Sequence, residues 1–205
     1  MPGSFVGIFA KPSTLLVFSA MFILILVTAP PPGEAASEGD PVLASPQPAA
    51  LKPGLKVHYY NNLFRTVEEV QSWAKARDGY PGEPLHSLDY RSGVDKVLTS
   101  SQEDGVGAHI TGFIRFEEAG TYAIAAQSND GLDVEIGGRT VVYDPDVHAD
   151  RYSQPVEIEI KAPGWYPLDA WYFERKNTST LRLYWLTPDE EEGSMAIIPK
   201  EAYGH

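Results

Sequence analysis

The strongest constraint on the fold is a succession of short apolar segments along the chain, most of them separated from the next by a turn signal. Several alternate apolar and polar residues, which is the pattern of a strand with one buried face. Asn129-Asp130-Gly131 and Gly137-Gly138 supply residues that tolerate a positive φ, as tight hairpins require. This spacing predicts an all-β antiparallel sandwich. The predicted strands are Lys56–Tyr60, Ala108–Phe116, Thr121–Ser128, Leu132–Ile136, Thr140–Tyr143, Val156–Lys161, Trp165–Phe173 and Leu181–Leu186.

One segment, Thr66–Ala76, has helical periodicity instead. Val67 and Val70 recur at the spacing of one helix face. Thr66 followed three residues later by Glu69 has the form of a capping box, in which the two side chains satisfy free backbone N–H groups at a helix start. The sandwich is therefore predicted to carry one short helix.

The N-terminal region is predicted to be export and spacer sequence. Leu15–Ala29 is apolar and uncharged, and it is shorter than the roughly 20 residues of a membrane-spanning helix. Residues 1–36 are therefore predicted to be a signal peptide, with an uncleaved membrane anchor as the alternative. Residues 37–50, rich in Pro and Ala, are predicted to be a linker, and residues 51–205 are predicted to form the domain.

The chain contains no cysteine. An exported domain without disulfides must draw its stability from the hydrophobic core. The same absence excludes a lipoprotein anchor, thiol catalysis and thiolate metal sites.

The formal net charge of the chain is −12. Nucleic-acid binding requires a basic surface, so this function class is not expected. An acidic surface is compatible with solubility and with hard cations, and contact with a membrane is expected only through an uncleaved N-terminal segment.

An ordered set of motifs resembles one known family. AHITGFIRFEEAGTYAIAAQSNDGLDVEIGGRTVVYD is followed by VEIEIKAPGWYPLDAWYFE and then by LRLYWLTPD. This order resembles the protective-antigen domain family, the PA-fourteen module of toxins, flocculin-type adhesins and some glycosidases. The segment GLKVHYYN resembles the family's first strand, so the resemblance covers nearly all of residues 51–203. It implies a jelly-roll-like antiparallel β-sandwich.

The resemblance also implies a calcium site. Calcium-dependent lectins of the family carry two consecutive aspartates, joined by a cis peptide, where this chain has Asn129 and Asp130. The hairpin that supplies a further oxygen in those lectins offers Glu174 here. Asn129, Asp130 and Glu174 are thus the predicted Ca²⁺ ligands, although the asparagine removes one charge. The alternative is a metal-free turn in which Glu174 accepts hydrogen bonds from the turn's backbone amides.

The predicted ligand-binding residues are Asn129, Asp130 and Glu174 together with Trp171. Trp171 shares the polar phase of its strand with Asp169, which favours a partly exposed indole that could stack on a sugar. Residues 144–150, with aspartates at positions 144, 146 and 150, are interpreted as a surface loop on the rim of the ligand site.

The sequence offers no catalytic constellation. It has no nucleophile elbow, zinc-binding helix motif or phosphate loop, and its five histidines are scattered. We therefore predict a non-enzymatic, exported binding module located outside the cell, on its surface or in the periplasm. A glycan is the first predicted partner, and a cell-surface or extracellular protein bound without metal is the alternative. A glycoside hydrolase is the least favoured reading.

Overall fold

The computed structural model describes residues 39–93, 95–190 and 195–205. Within them the chain forms short strands joined by turns, one α-helix and one 3₁₀ helix at Lys200–Ala202. The elements in chain order are β1 (Lys56–Asn61), α1 (Val67–Ala76), β2 (Tyr80–Pro81), β3 (Asp89–Ser92), β4 (Val106–Phe116), β5 (Gly120–Asn129), β6 (Leu132–Ile136), β7 (Arg139–Asp144), β8 (Arg151–Tyr152), β9 (Val156–Ile160), β10 (Gly164–Glu174), β11 (Ser179–Leu186), β12 (Ala196–Ile197) and β13 (Tyr203–Gly204).

The strands form two antiparallel sheets, which confirms the predicted sandwich. The seven-stranded sheet has the order β2-β1-β4-β10-β6-β7, and β13 also pairs with β4. The six-stranded sheet has the order β12-β11-β5-β8, with β3 on β11 and β9 on β5. Strands β4 and β10 pair along their whole length, from Gly164 opposite Phe116 to Glu174 opposite Val106.

The core lies between the sheets and follows the predicted alternation. In β10 the inward side chains are fully or almost fully buried, and they meet equivalent residues of β5 and β11 in one continuous cluster. Burial of such apolar surface is the main stabilising term for a fold without disulfides. The cluster includes Tyr166, Leu168, Ala170, Tyr172, Ile124, Ala126, Leu181 and Leu183.

Helix α1 covers part of the outer face of the seven-stranded sheet. Its buried residues Val67 and Val70 pack with Phe173 in a second, smaller apolar cluster. The Thr66 side chain accepts a hydrogen bond of 3.3 Å from Glu69 N, which confirms the predicted cap. The Glu69 carboxylate reaches back to the backbone N of Arg65, one residue before the capping position, at 2.8 Å.

All eight predicted strands are present, with ends shifted by at most two residues. The strands that the sequence did not reveal are short: β2, β8, β12 and β13 have two residues each and β3 has four. Segments of this length are too short to display alternation.

The predicted signal or anchor falls on residues 1–36, which lie outside the described residues. Part of the predicted linker lies against the sandwich: Val42 N donates to Gly137 O at 2.9 Å, and Ala44 N donates to Trp165 O at 3.0 Å. Neither helix in the described part of the chain has the length and apolarity needed to cross a membrane.

Candidate functional site

The turn between β5 and β6, Asn129-Asp130-Gly131, is fastened to the end of β10. Asp130 N donates to Phe173 O at 3.0 Å, and Phe173 N donates to Gly131 O at 3.0 Å. The peptide bond between Asn129 and Asp130 is cis, the form that the family's calcium-dependent lectins have at this position. The Tyr172 hydroxyl donates to Asn129 O at 2.6 Å. The turn is therefore held by backbone and side-chain hydrogen bonds from one strand.

Gly131 permits this close approach. A Cβ at this position would lie 2.4 Å from the Phe173 ring and 2.6 Å from the carbonyl oxygen of Pro145. Contacts that short do not occur between real side chains and their neighbours. Glycine is consequently the residue that lets the turn lie between β10 and the loop of residues 144–150.

The Asp130 carboxylate joins two loops through their backbones. Its Oδ1 accepts a hydrogen bond of 3.1 Å from His148 N, and its Oδ2 accepts one of 2.7 Å from Arg175 N. Burial raises the pKa of Asp130, and these two N–H donors oppose that rise by stabilising the ionised form. Both carboxylate oxygens are thus engaged in holding loops in position.

Glu174 is the last residue of β10, the strand to which the turn is fastened, and it is fully buried. Its Oε2 accepts a hydrogen bond of 3.1 Å from Gly105 N, while Oε1 has no hydrogen-bond partner within the described residues. Burial raises the pKa of Glu174 to about 8, with further contributions from the nearby charges of Asp104 and Asp130. Its side chain is therefore mainly protonated at neutral pH.

The metal-free alternative for Glu174 needs one correction. We expected its carboxylate to accept hydrogen bonds from backbone amides of the 129–131 turn. The donor is instead Gly105, just before β4, and the amide of Asp130 bonds to Phe173 O. The difference arises because the turn pairs with the backbone of β10 and so uses its amide there.

The Asn129 side chain points to the outer face of the six-stranded sheet. Its Nδ2 donates to Asp150 Oδ1 at 3.1 Å and to Thr178 Oγ1 at 2.8 Å. The same Asp150 oxygen accepts from Thr180 Oγ1 at 3.0 Å, and Asp150 Oδ2 lies 3.3 Å from a guanidinium nitrogen of Arg91. We call Arg91, Thr180, Asn129 and Asp150 the polar row, because they lie side by side across four strand ends.

Polar and aromatic side chains lie next to the polar row on the same face of the six-stranded sheet. Gln127 of β5 pairs with Arg182 of β11 and with Tyr152 of β8. Tyr152 is 62% exposed, and its ring centroid lies 5.8 Å from that of Tyr184. The guanidinium of Arg182 lies 5.5 Å from the Tyr184 ring centroid and bonds to Asp89 at 2.7 Å. This face therefore presents carboxylate, guanidinium and amide groups beside an exposed phenol ring.

Trp171 lies elsewhere. Strand alternation places Tyr172 and Glu174 on the inner face of β10, and it places Trp171 on the outer face with Phe173, beside α1. The indole stacks on His109 with centroids 3.8 Å apart, and His109 Nε2 is 2.8 Å from Asp169 Oδ2. A polar cavity of about 160 Å³ adjoins it. The structure brings Asn129, Asp130 and Glu174 to one strand end and leaves Trp171 outside this group.

Three members of the polar row were not selected from the sequence. Thr180 and Arg91 are brought to Asn129 by pairing of β3, β11 and β5, which no local pattern encodes. Asp150 had a signal, because it closes the acidic loop that we interpreted as the rim of a ligand site. Its contact with Asn129 is consistent with that interpretation.

The donor set at the strand end fits calcium poorly. Calcium takes about six to eight oxygen ligands, and affinity rises with the number of carboxylates. Both Asp130 oxygens already accept N–H hydrogen bonds, and Asn129 presents its amide nitrogen to Asp150. Of the four carboxylate oxygens of Asp130 and Glu174, Glu174 Oε1 alone has no hydrogen-bond partner within the described residues. Among the residues described, no group of three or more His, Asp or Glu is arranged to hold a metal ion.

Several solved structures share this fold. The PA14 domain of the antifreeze protein MpAFP is 14% identical, with a TM-score of 0.64 over 80% of this chain and 96% of that one. A PA14 sugar-binding domain from an RTX adhesin is 19% identical, with a TM-score of 0.57 over 76% of this chain and 99% of that one. At these identities the likeness establishes the fold alone.

A third similar structure contains a bound sugar. The A domain of epithelial adhesin 9 from Candida glabrata, in complex with Galβ1-3GlcNAc, is 15% identical, with a TM-score of 0.60 over 80% of this chain and 94% of that one. No curated protein matches the sequence significantly. The sequence model of the PA14 domain matches residues 51–196, which is most of the chain. The chain therefore belongs to the PA14 domain family.

Proposed function

We propose that this PA14 domain is a non-catalytic glycan-binding module whose ligand contacts the polar row. The observation that carries the proposal is the arrangement of Asp150, which is hydrogen-bonded to Asn129 and paired with Arg91 next to the exposed Tyr152. Two similar folds, an RTX adhesin domain and a Candida glabrata adhesin domain, are described as sugar-binding or sugar-bound. These relatives support the ligand class, and the geometry supports the location.

The chemistry of the polar row suits sugar hydroxyls. A hydroxyl both donates and accepts, so it is best held between a carboxylate and a cationic or amide donor. Asp150 supplies the acceptor, its side chain 25% exposed, and Arg91 supplies donors from a side chain that is 69% exposed. The Tyr152 ring offers an apolar surface for the less polar face of a pyranose. Hydrogen bonds to charged groups of this kind are stronger than neutral ones.

Two carboxyl groups outside the polar row, Glu174 and Asp133, have raised pKa values but are unsuited to catalysis. Raised carboxyl pKa values are typical of general acids, and both Glu174 and Asp133 have them, at about 8 and about 7. Glu174 is completely buried and cannot reach a substrate. Asp133 lines the cavity of about 160 Å³ beside Trp171, which is smaller than the roughly 300 Å³ of the smallest usual ligand pockets.

The module is proposed to work outside the cytoplasm. The apolar, uncharged segment Leu15–Ala29 supports export, and the absence of cysteine is compatible with a fold stabilised by its core in an oxidising compartment. The sugar-binding adhesins with the same fold fit a role at a cell surface or in the extracellular space.

Calcium assistance remains a prediction of the family resemblance. Asn129, Asp130 and Glu174 would be the ligands, and Glu174 Oε1 is the oxygen free to change partner. The engaged oxygens of Asp130 favour a contact between glycan and polar row that does not pass through a metal ion.

A protein partner is the alternative, favoured by exposed apolar residues in two loops. Val147 is 49% exposed and Leu63 is 45% exposed. Exposed apolar side chains mark protein contacts when they form a continuous patch.

A glycan array screened with the purified chain, with and without a chelator, tests the proposal. We expect a defined set of glycans to be retained in both conditions. If a correctly folded chain retains no glycan in either condition, the glycan-binding proposal is wrong and the protein-interaction alternative takes its place. Retention that is lost with chelator would establish the calcium-assisted form.

A further inference from the structure

A concave surface lies near Trp165, at the opposite end of β10 from Glu174 and the turn at Asp130. It is a groove of about 820 Å³, within the range of roughly 300–1,000 Å³ typical of small-molecule sites. Trp165 lies in it, nine residues before Glu174 on the same strand, which places these two residues about 30 Å apart along the strand. Residues that line the groove include Leu51, Lys52, His86, Trp165, Lys200 and Tyr203.

The walls of the groove are fixed by backbone hydrogen bonds. Lys52 N donates to His205 O at 2.8 Å, and His205 N donates to Lys52 O at 2.9 Å. Gly54 N donates to Tyr203 O at 3.2 Å. The segment before β1 and the segment at β13 therefore run as a paired ribbon, and a ligand would meet a surface that is already formed. Such preorganisation lowers the entropic cost of binding.

The backbone of Trp165 is also held in place. The Gln47 side chain acts as a strand partner: its Oε1 accepts from Trp165 N at 2.8 Å, and its Nε2 donates to Trp165 O at 3.0 Å. A Cβ on Gly204 would lie 3.3 Å from the Trp165 ring and 2.8 Å from a Leu51 methyl group. Gly204 thus lets both side chains close over the backbone, and the partly exposed indole offers a flat apolar surface.

The charge of the groove is opposite to that of the protein. The chain carries a formal net charge of −12, yet the groove contains Lys52 and Lys200 against one carboxylate, Glu201. Lys200 and Glu201 are 3.9 Å apart with both side chains more than 70% exposed, so their pairing is weak. The Arg115 guanidinium lies 5.8 Å from the Trp165 ring centroid and is itself paired with Glu117 at 3.2 Å, so the unbalanced charge of the groove comes from the two lysines. Cations beside an aromatic surface suit a ligand with an apolar face and a carboxylate.

We propose that this groove binds an anionic saccharide, a chain of uronic acid residues, with one pyranose ring on Trp165 and carboxylates at Lys52 and Lys200. This inference rests on the proposed glycan-binding function and adds to it a second subsite with its own ligand class. The two sites then differ in ligand chemistry: the polar row contacts hydroxyl groups, and the groove selects for negative charge.

The test is calorimetric titration of the full chain with short oligogalacturonates. The matched control ligand is the fully methyl-esterified oligomer, which keeps the rings and loses the charges. We expect the acid to bind and the ester to bind at least about tenfold more weakly, as the loss of charge-assisted contacts implies. Equal binding of acid and ester would overturn the proposal, as would binding of an oligoglutamate peptide as tight as that of the acid.

Variants locate the site. Lys52→Gln with Lys200→Gln should weaken oligogalacturonate binding at least about tenfold, whereas Lys176→Gln, in the loop after β10, should leave it unchanged. Trp165→Phe retains an aromatic ring in case Trp165→Ala disturbs folding, and it should weaken binding less than Trp165→Ala. Unchanged affinity in the double lysine variant would contradict the site.

The outcomes distinguish failure of the groove proposal from failure of the proposed function. If array glycans bind at the polar row and oligogalacturonate does not bind at all, the groove proposal alone is wrong. If oligogalacturonate binding responds to Lys52 and Lys200 and no array glycan depends on the polar row, the groove stands and the polar-row proposal is wrong.

Discussion

Asn129 Nδ2 donates a hydrogen bond of 3.1 Å to Asp150 Oδ1, and this contact joins the turn after β5 to the loop before β8. An asparagine suits this position because an amide nitrogen can donate to a carboxylate. An aspartate would instead place a second negative charge against Asp150. The family's calcium-dependent lectins have paired aspartates here. In this chain the asparagine in place of the first aspartate is accompanied by Asp150, a carboxylate that accepts a hydrogen bond from the asparagine amide.

Substitution of Asn129 by aspartate tests this relationship. Asn129→Asp removes two donated hydrogen bonds and places two carboxylates together, so we expect a loss of about 2 to 3 kcal/mol of unfolding free energy in chelator. Millimolar calcium should then raise the unfolding temperature of Asn129→Asp and leave that of the wild type unchanged, as thermal unfolding would measure. A bound ion raises stability in proportion to RT ln(1 + [L]/Kd). A calcium-dependent rise in the wild type would instead support the predicted calcium site.

Glu174 predicts a pH dependence of stability. Its pKa in the folded protein is about 8, against an ordinary value of 4.5 that the unfolded chain regains. Between these values the folded state binds more protons than the unfolded state, so stability falls as the pH rises, by up to about 1 kcal/mol per pH unit. Urea denaturation from pH 5 to 8 measures this fall.

Glu174→Gln is neutral at every pH, so its stability should fall less over that range than that of the wild type. Some slope will remain, because burial also raises the pKa of Asp133, to about 7, with the same sign. Glu157→Gln, an exposed residue of β9, is the control and should behave as the wild type. Parallel profiles for Glu174→Gln and the wild type would refute the assignment.

Gly131→Ala should destabilise the domain by about 2 to 4 kcal/mol, because the new methyl group overlaps the Phe173 ring and the Pro145 carbonyl. Gly93→Ala is the matched control, since nothing lies within 4 Å of a Cβ there, and its effect should stay within about 0.5 kcal/mol. Chemical denaturation measures both. An equally small effect at Gly131 would mean that the turn can move away from β10 at little cost.

Tyr152→Ala should weaken glycan binding about fivefold and change stability by less than about 1 kcal/mol, because the ring is 62% exposed. Val147→Ala, in the preceding loop, should leave glycan affinity unchanged. Titration of both variants with a glycan identified on the array gives the comparison. An effect of Val147 as large as that of Tyr152 would indicate a broader apolar contact surface than the account requires.

Local patterns in the sequence predicted most of the strands and the one α-helix. Alternation along Trp165–Phe173 predicted which side chains of β10 face the core, and Thr66 with Glu69 predicted the start of α1. The two-residue strands were missed because pairing with a longer neighbour, and no pattern of their own, defines them. Their existence depends on contacts between residues distant in the chain.

The candidate site was predictable only in part. Asp130 and Glu174 could be associated through the family resemblance. The position of Trp171 could have been inferred from the strand period itself, since residues 171 and 174 differ by an odd number and point to opposite faces. Arg91 and Thr180 reach Asn129 only through the pairing of β3 and β11 with β5, and the sequence contains no local sign of that pairing. Asp150 had one signal, its position at the end of the acidic loop.

The most direct test of the central claim is a calorimetric titration of a glycan from the array into the wild type and Asp150→Asn, with Asp169→Asn as the control on the other sheet. Asp150→Asn keeps the size of the side chain, but it loses the charge that pairs with Arg91. We predict at least about tenfold weaker binding for Asp150→Asn and unchanged binding for Asp169→Asn. Equal affinity of the wild type and Asp150→Asn would contradict glycan binding at the polar row.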